Sequence, residues 1–190
     1  MFLTKTDFMA VAKDAAIEQI AADAFPPPQL VTAERFAIDE ASGYLNFKYD
    51  TGKIFGVKAY EFDAGASYKI GEVIMDANGI PYNCIADAPA NTPLTDTNYF
   101  VLGDLRNSLV VMILVDITLY HFHSRVPTNR ITETRIVRYD QAIEKLQQIR
   151  KSQLNPVLPL WDYESPNHTT QQETQTIEII SQDKRNNYYC

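Results

Sequence analysis

The spacing of apolar residues near the beginning of the chain is that of amphipathic helices. The run from Thr4 to Asp7 has the form of a capping box, and apolar residues then recur every three or four positions, which predicts a helix from Lys5 to Ala22. Three consecutive prolines, Pro26 to Pro28, would end it. A second helix is predicted to open near Thr32 and to stop at Asp50-Thr-Gly52.

Between residues 60 and 104 the helical spacing gives way to short β-type runs separated by glycines. Residues 68–75 and 80–85 flank Asn78-Gly79, and Asn-Gly is the strongest two-residue turn signal between β-type runs. This pattern predicts a β-hairpin. A polar loop follows, and residues 99–102 predict a third strand.

Helical spacing returns after residue 104 in two segments of different character. The first, residues 105–125, is apolar on more than one face, which indicates a helix buried on several sides. Its apolar run, Leu109 to Phe122, contains Asp116 and falls well short of the ~20 apolar residues that a membrane span requires, so we expect no membrane segment. The second, residues 133–151, has one apolar stripe and one polar face, which predicts an amphipathic helix.

The last segment, residues 153–190, is rich in prolines and polar residues and contains a lone β-type run at 176–180. Together these patterns predict an α+β fold of three parts. They are a mainly α, four-helix core formed by residues 1–58 and 105–152, an inserted antiparallel β module at 59–104, and an extended C-terminal arm at 153–190. A lone strand needs a partner, and we expect the arm to find one on a neighbouring molecule.

Composition and charge narrow the class of protein. A chain of 190 residues with 45% hydrophobic and 22% charged residues fits one core domain with a small appendage. Its two cysteines, Cys84 and Cys190, are too few for a disulfide framework, which favours a reducing compartment. The first residues lack the pattern of a secretory signal, so we expect assembly in a cytoplasm.

Charge is distributed unevenly along the chain. Residues 1–104 carry 7 Lys/Arg against 15 Asp/Glu, residues 105–152 carry 8 against 4, and residues 153–190 carry 2 against 5. An acidic protein with one basic helical segment is a poor candidate for general DNA binding but suits self-complementary assembly. The same acidic balance suits a channel through which DNA slides without sticking.

Few residues carry catalytic or metal-binding chemistry. His121 and His123 are two apart, so on a helix they point about 200° away from each other and cannot share a metal ion unaided. Asp116 in an apolar helix needs a cationic partner, and we predict a core ion pair with Arg138, although Arg106, Arg125 and Arg135 are alternatives. We find no nucleophile with a matching base, and therefore predict no enzyme activity, no metal and no cofactor.

Aromatic residues are concentrated in the β segment, and they have two interpretations. They could form a platform for a sugar ring, or they could form the core of a module of about 45 residues. The core interpretation is favoured, and alternation of side chains along a strand lets both hold together. The residues in question are Tyr60, Tyr68, Tyr82, Tyr99 and Phe100.

The helical segments, taken together, resemble the small head–tail connector proteins of tailed phages. The resemblance covers the chain outside residues 56–104, where the family usually has a short loop. It lies in five blocks: Met1–Asp7, Ala37–Asp50, Val115–Arg125, Arg138–Leu146 and Leu158–Leu160. The inserted segment resembles a small carbohydrate-binding β module of the kind appended to chitinases, but it lacks the tryptophans that stack on sugars in such modules.

The resemblance implies a structural virion protein at the head–tail interface, assembled in the host cytoplasm. Its copies would form a cyclic, dodecameric ring that docks on the portal protein, contacts tail or other ring proteins and surrounds a channel for DNA, without sequence-specific binding. The arm would contact a neighbour or the portal through Ile177, Ile179, Arg185, Tyr188 and Tyr189. The alternative is an accessory virion protein whose β insert recognises a glycan or anchors fibres.

Overall fold

The fold combines helices with one small sheet. The structure, a computed structural model, describes residues 1–11, 25–124 and 131–162. Within these ranges it contains five helices and four strands, and the predicted α+β class is confirmed. In chain order they are α1 (Lys5–Val11), α2 (Pro28–Leu45), α3 (Thr51–Phe55), β1 (Ala59–Glu61), β2 (Val73–Met75), β3 (Pro81–Cys84), β4 (Phe100–Leu102), α4 (Ser108–Ser124) and α5 (Glu133–Arg150).

The predicted limits of the first helices need correction. Helix α1 begins at Lys5 as predicted, and the extension to Ala22 lies outside the described residues. Helix α2 begins at Pro28 rather than near Thr32, because a proline at the first helical position loses only an N–H that has no intrahelical partner. The second helix was predicted to stop at Asp50, but α2 ends at Leu45. The Asp50 side chain instead accepts a hydrogen bond from the Lys53 N–H at 3.0 Å and thereby caps α3.

Helix α4 lies at the centre of the helical part. Residues 113–119 are all buried, including Asp116 and Thr118, because α2 and α5 pack on it from different sides and α1 also contacts it. The predicted burial on several sides is therefore confirmed. Among the described helices, none is both long and apolar enough to cross a lipid bilayer.

One large hydrophobic cluster joins the helices to the first residues of the chain. Phe2 and Leu3 are almost fully buried in it beside Leu30, Leu114 and Leu146. Residues from α2, α4 and α5 thus share one core with a segment that precedes the first helix. Burial of side chains of this size supplies most of the stabilisation of such a core, at about 1.5–3 kcal/mol each.

The sheet has the order β1-β2-β3-β4 and is mixed. Its β2–β3 and β3–β4 pairs are antiparallel, as predicted, but β1 pairs parallel to β2, so the wholly antiparallel prediction was wrong. The hairpin loop is also longer than predicted. Met75 pairs with Pro81, and the five residues between them are held by the Asp76 side chain, which accepts hydrogen bonds from the N–H groups of Asn78 and Ile80.

The first ten residues of the predicted arm lie along the helical core of their own chain. The Asp50 N–H donates to the Pro159 carbonyl at 2.9 Å, and Leu160 forms a β-bridge with Tyr49. The Trp161 indole N–H donates to the Asn46 carbonyl at 2.7 Å. Residues 163–190 lie outside the described part of the chain. The boundaries between core, module and arm remain a prediction.

Candidate functional site

The chain's first seven residues are held between the helical core and the sheet, an arrangement that we call the N-terminal joint. Its innermost element is the predicted capping box: the Thr4 N–H donates to Asp7 Oδ2 at 2.7 Å, and the Asp7 N–H donates to Thr4 Oγ1 at 3.3 Å. On the sheet side, the Ala59 N–H donates to the Met1 carbonyl, and Glu61 accepts from the Thr6 N–H and hydroxyl. The joint therefore attaches β1 to the start of the chain.

Arg106, which follows β4 in the chain, binds the N-terminal joint at the other end of the β module. Its guanidinium, which is fully buried, donates to Asp7 Oδ2 at 2.6 Å and to the Phe2 carbonyl at 2.7 Å. It also donates to Asp104 at 2.9 and 3.0 Å. Burial acts to lower the pKa of Arg106, but the hydrogen bonds to Asp104 and Asp7 outweigh it, and the net shift is upward. The guanidinium therefore stays charged and ties the C-terminal end of the β segment, at Asp104, to residues 2–7.

Glu34 of α2 holds the joint from the core side. One carboxylate oxygen accepts hydrogen bonds from the N–H groups of Phe2 and Leu3, at 2.9 and 2.7 Å. The side chain is almost fully buried, and this burial raises its pKa, although the two hydrogen bonds and the nearby N-terminal ammonium act in the opposite direction. Ionised Glu34 therefore carries a desolvation cost in the folded protein.

The Glu34→Gln substitution is expected to gain stability relative to the wild type as the pH rises. The pKa of Glu34 is higher in the folded than in the unfolded chain, where it is near 4.5. The stability that protonated Glu34 contributes is therefore fully present below that pH and is lost as the pH rises through the folded pKa. A neutral glutamine avoids this loss. Urea unfolding of both proteins between pH 4 and pH 7 measures the difference.

The matched control for this experiment is Glu144→Gln, on the exposed side of α5. It reports the general effect of removing one carboxylate from an acidic protein. A difference between Glu34→Gln and the wild type that stays constant with pH, after subtraction of this control, would contradict the raised pKa. The hydrogen bonds to Phe2 and Leu3 need only an acceptor oxygen, so glutamine retains them.

The structure brings Asp116 and Arg138 together on α4 and α5. The Arg138 Nε lies 2.9 Å from Asp116 Oδ1, and Arg135 NH1 lies 3.7 Å from the same oxygen. Arg106, an alternative partner in the sequence prediction, contacts Asp7 instead. Burial raises the pKa of Asp116 despite the two arginines. The Asp116 side chain is 8% exposed and that of Arg138 35%, so the pair ties α4 to α5 at the edge of the core.

A second polar cluster joins α2, α4 and α5 at the surface of the core. Glu40 accepts a hydrogen bond from the Tyr139 hydroxyl at 2.7 Å, and its other oxygen lies 2.9 Å from His121 Nε2. The Tyr139 ring stacks on Tyr120 with centroids 4.0 Å apart. Burial and the contact with Glu40 raise the pKa of Tyr139, so its hydroxyl remains a donor. His123 faces a different partner, with Nδ1 2.6 Å from the Leu119 carbonyl.

The aromatic residues of the β module are mainly its core. Tyr68 and Phe100 are almost fully buried and meet edge to face, with centroids 6.1 Å apart. Their rings therefore belong to the core of the module, and an aromatic face that binds a sugar stays a prediction. Tyr82 and Tyr99 pack against the same cluster and are partly exposed. Tyr60 is 38% exposed, and its pKa is raised by burial and by neighbouring Glu72.

The remaining predicted site residues are the contact residues of the C-terminal arm. Ile177, Ile179, Arg185, Tyr188 and Tyr189 lie outside the described residues. Within the ranges that the structure does describe, no three His, Cys, Asp or Glu side chains come together as a metal site. In the N-terminal joint and in the Glu40 cluster the carboxylates already accept hydrogen bonds, and such an arrangement fixes elements in place.

Comparison of this chain with family models, with curated proteins and with solved structures finds no match. The function therefore has to be argued from the residues and their arrangement.

The N-terminal joint was not predicted from the sequence. The capping box was a visible signal for its inner half, whereas Arg106 was considered only as an alternative partner of Asp116. Its partners Phe2 and Asp7 are about a hundred positions away along the chain, whereas helical and strand periodicity reports only on residues a few positions apart. The charge of Arg106 next to Asp104 was the available signal.

Proposed function

We propose that this protein is a structural subunit of a tailed-phage head–tail connector, in which copies form a closed ring on the portal. The ring would surround the DNA channel and attach the tail. The four-helix core would build the ring, and the inserted β module would project from it. Identical wedge-shaped subunits that meet head to tail and close produce cyclic symmetry.

The observation that carries the proposal is the spatial grouping of the blocks that resemble connector proteins. Ala37–Asp50 forms the end of α2 and the following turn, Val115–Arg125 begins within α4, and Arg138–Leu146 lies in α5. These three helices pack on one another, and Leu160 of the last block bridges to Tyr49. Blocks that are separated by up to 107 residues in the sequence therefore form one continuous body.

Exposed apolar side chains on the helical body support its role in assembly. Ile136 and Val137 on α5 are 42% and 47% exposed. We place these two adjacent apolar side chains in the surface that a neighbouring subunit covers. The N-terminal joint supports the same proposal, because it fixes the β module on the core and would give every module in a ring the same orientation.

Native mass spectrometry of the protein, alone and mixed with its portal, tests the proposal. We expect a large closed multimer, or a monomer that becomes one only on the portal. A monomer that ignores the portal and instead binds a polysaccharide would overturn the connector proposal in favour of the accessory glycan-binding protein. In that case Tyr60 would be the first residue to substitute.

A pair of matched variants locates the ring contacts. Val137→Asp places a charge on the helical body, where we expect it to prevent multimer formation. Leu102→Asp places the same charge on β4 of the module, at a side chain that is 66% exposed, and we expect the multimer to persist. Equal effects of the two variants would contradict a ring built by the helical core.

A further inference from the structure

A groove opens where the end of α2 meets the end of α5. It has a volume of about 460 Å³ and is lined by Tyr44, Phe47, Gln147, Arg150 and Lys151. The Phe47 ring is 64% exposed, and Arg150 and Lys151 are exposed beside it. The groove thus offers an aromatic surface next to two positive charges, which suits an apolar segment that carries negative charge.

The chain itself supplies a segment with that chemistry. Between residues 163 and 183 there are four acidic residues and no lysine or arginine. Three isoleucines lie around Glu178 in this span, at positions 177, 179 and 180. Two further acidic residues flank this group, Glu173 before it and Asp183 after it. Apolar side chains would cover Phe47, and the carboxylates would meet Arg150 and Lys151.

The described chain ends at the edge of the groove. The Trp161 indole donates to the Asn46 carbonyl, and Asn46 immediately precedes Phe47 in the sequence. The ten residues from 163 to 172 that separate this point from residues 173–183 reach at most about 35 Å. A segment tethered this close experiences an effective concentration on the order of millimolar from its own chain, far above that of a second copy in dilute solution.

We propose that this groove is the docking site for residues 173–183 of the chain's own C-terminal arm. Docking places the isoleucines on Phe47 and Tyr44 and the acidic side chains on Arg150 and Lys151. The free subunit thereby covers an exposed aromatic surface with its own arm. This inference does not depend on the connector proposal, since it concerns one copy alone.

Disulfide trapping in dilute solution tests the docking. In a Cys190→Ser background, Gln147→Cys places a thiol in the groove and Ser181→Cys places one in the arm, with no change in charge. Cys84 is buried and is retained. The matched control replaces Gln147→Cys with Gln141→Cys, an exposed glutamine on the same helix that does not line the groove. We expect the groove pair to form an intramolecular disulfide at least about tenfold faster than the control pair.

Charge reversal separates docking from simple proximity. Arg150→Glu with Lys151→Glu is expected to bring the groove pair down to the rate of the control pair. Adding Glu173→Lys and Asp183→Lys should restore the faster rate. All four positions are exposed or lie in the arm, and far-UV circular dichroism checks that the fold is retained.

Either of two results would overturn the proposal. Equal rates for the groove and control pairs would show that the arm does not dock there. Cross-linked dimers in place of cross-linked monomers, read on a non-reducing gel, would assign the groove to the arm of a second copy. Neither result bears on ring formation, which native mass spectrometry measures separately.

Discussion

Replacing Arg106 with alanine is expected to lower the free energy of unfolding by about 3–5 kcal/mol, since removal of one partner from a buried ion pair leaves an uncompensated charge. Its guanidinium is fully buried, and Asp7 is only 8% exposed. The variant would also leave the Phe2 carbonyl without its 2.7 Å hydrogen bond from Arg106. Equilibrium unfolding in urea measures the change.

The matched control for this prediction is Arg35→Ala. Arg35 is exposed on α2 and lies over the Phe36 ring, so its loss should change the unfolding free energy by no more than about 0.5 kcal/mol. If Arg106→Ala and Arg35→Ala lower the free energy of unfolding by similar amounts, the N-terminal joint does not stabilise the fold. The charge lost is the same in both variants, which removes net charge as an explanation.

Phe100→Ala is expected to cost about 3–5 kcal/mol, because it creates a cavity in the small core of the β module. Phe100 is 1% exposed and contacts Tyr68 edge to face. The control is Leu102→Ala in the same strand, at a side chain that is 66% exposed, and it should be nearly neutral.

The shape of this unfolding transition is a second readout. If the joint couples the module to the helical core, Phe100→Ala shifts a single transition that circular dichroism and Trp161 fluorescence report together. Trp161 lies against the helical core, far along the chain from Phe100. A module that unfolds at lower denaturant while Trp161 fluorescence is unchanged would contradict that coupling.

Sequence patterns predicted the elements that are determined by residues close together in the chain. The capping box at Thr4 and Asp7, the β2–β3 hairpin and the amphipathic helix α5 each depend on residues a few positions apart. The all-round burial of α4 followed from its composition alone. The same approach was wrong about Pro28, since a proline ends one helix or begins the next depending on the residues after it.

Long-range pairing explains what the sequence did not predict. Strand β1 is three residues long and pairs parallel to β2, across a connection of eleven residues, so no alternation or turn signal indicates it. The contacts of Arg106 with Phe2 and Asp7 span about a hundred residues. The aromatic residues of the module were correctly favoured as core, but only the structure distinguishes buried Phe100 from exposed Tyr60.

The span of these contacts also sets an order of events during translation. Residues 2–7 lie between Glu34 of α2 and Arg106, and Arg106 is synthesised about a hundred residues after them. While the β module is being made on the ribosome, Phe2 and Leu3 have no completed core to enter. Closing such a long loop is an entropically costly, late step. The nascent chain therefore exposes Phe2 and Leu3 at least until Arg106 has been made, and this period is when chaperones would protect it most.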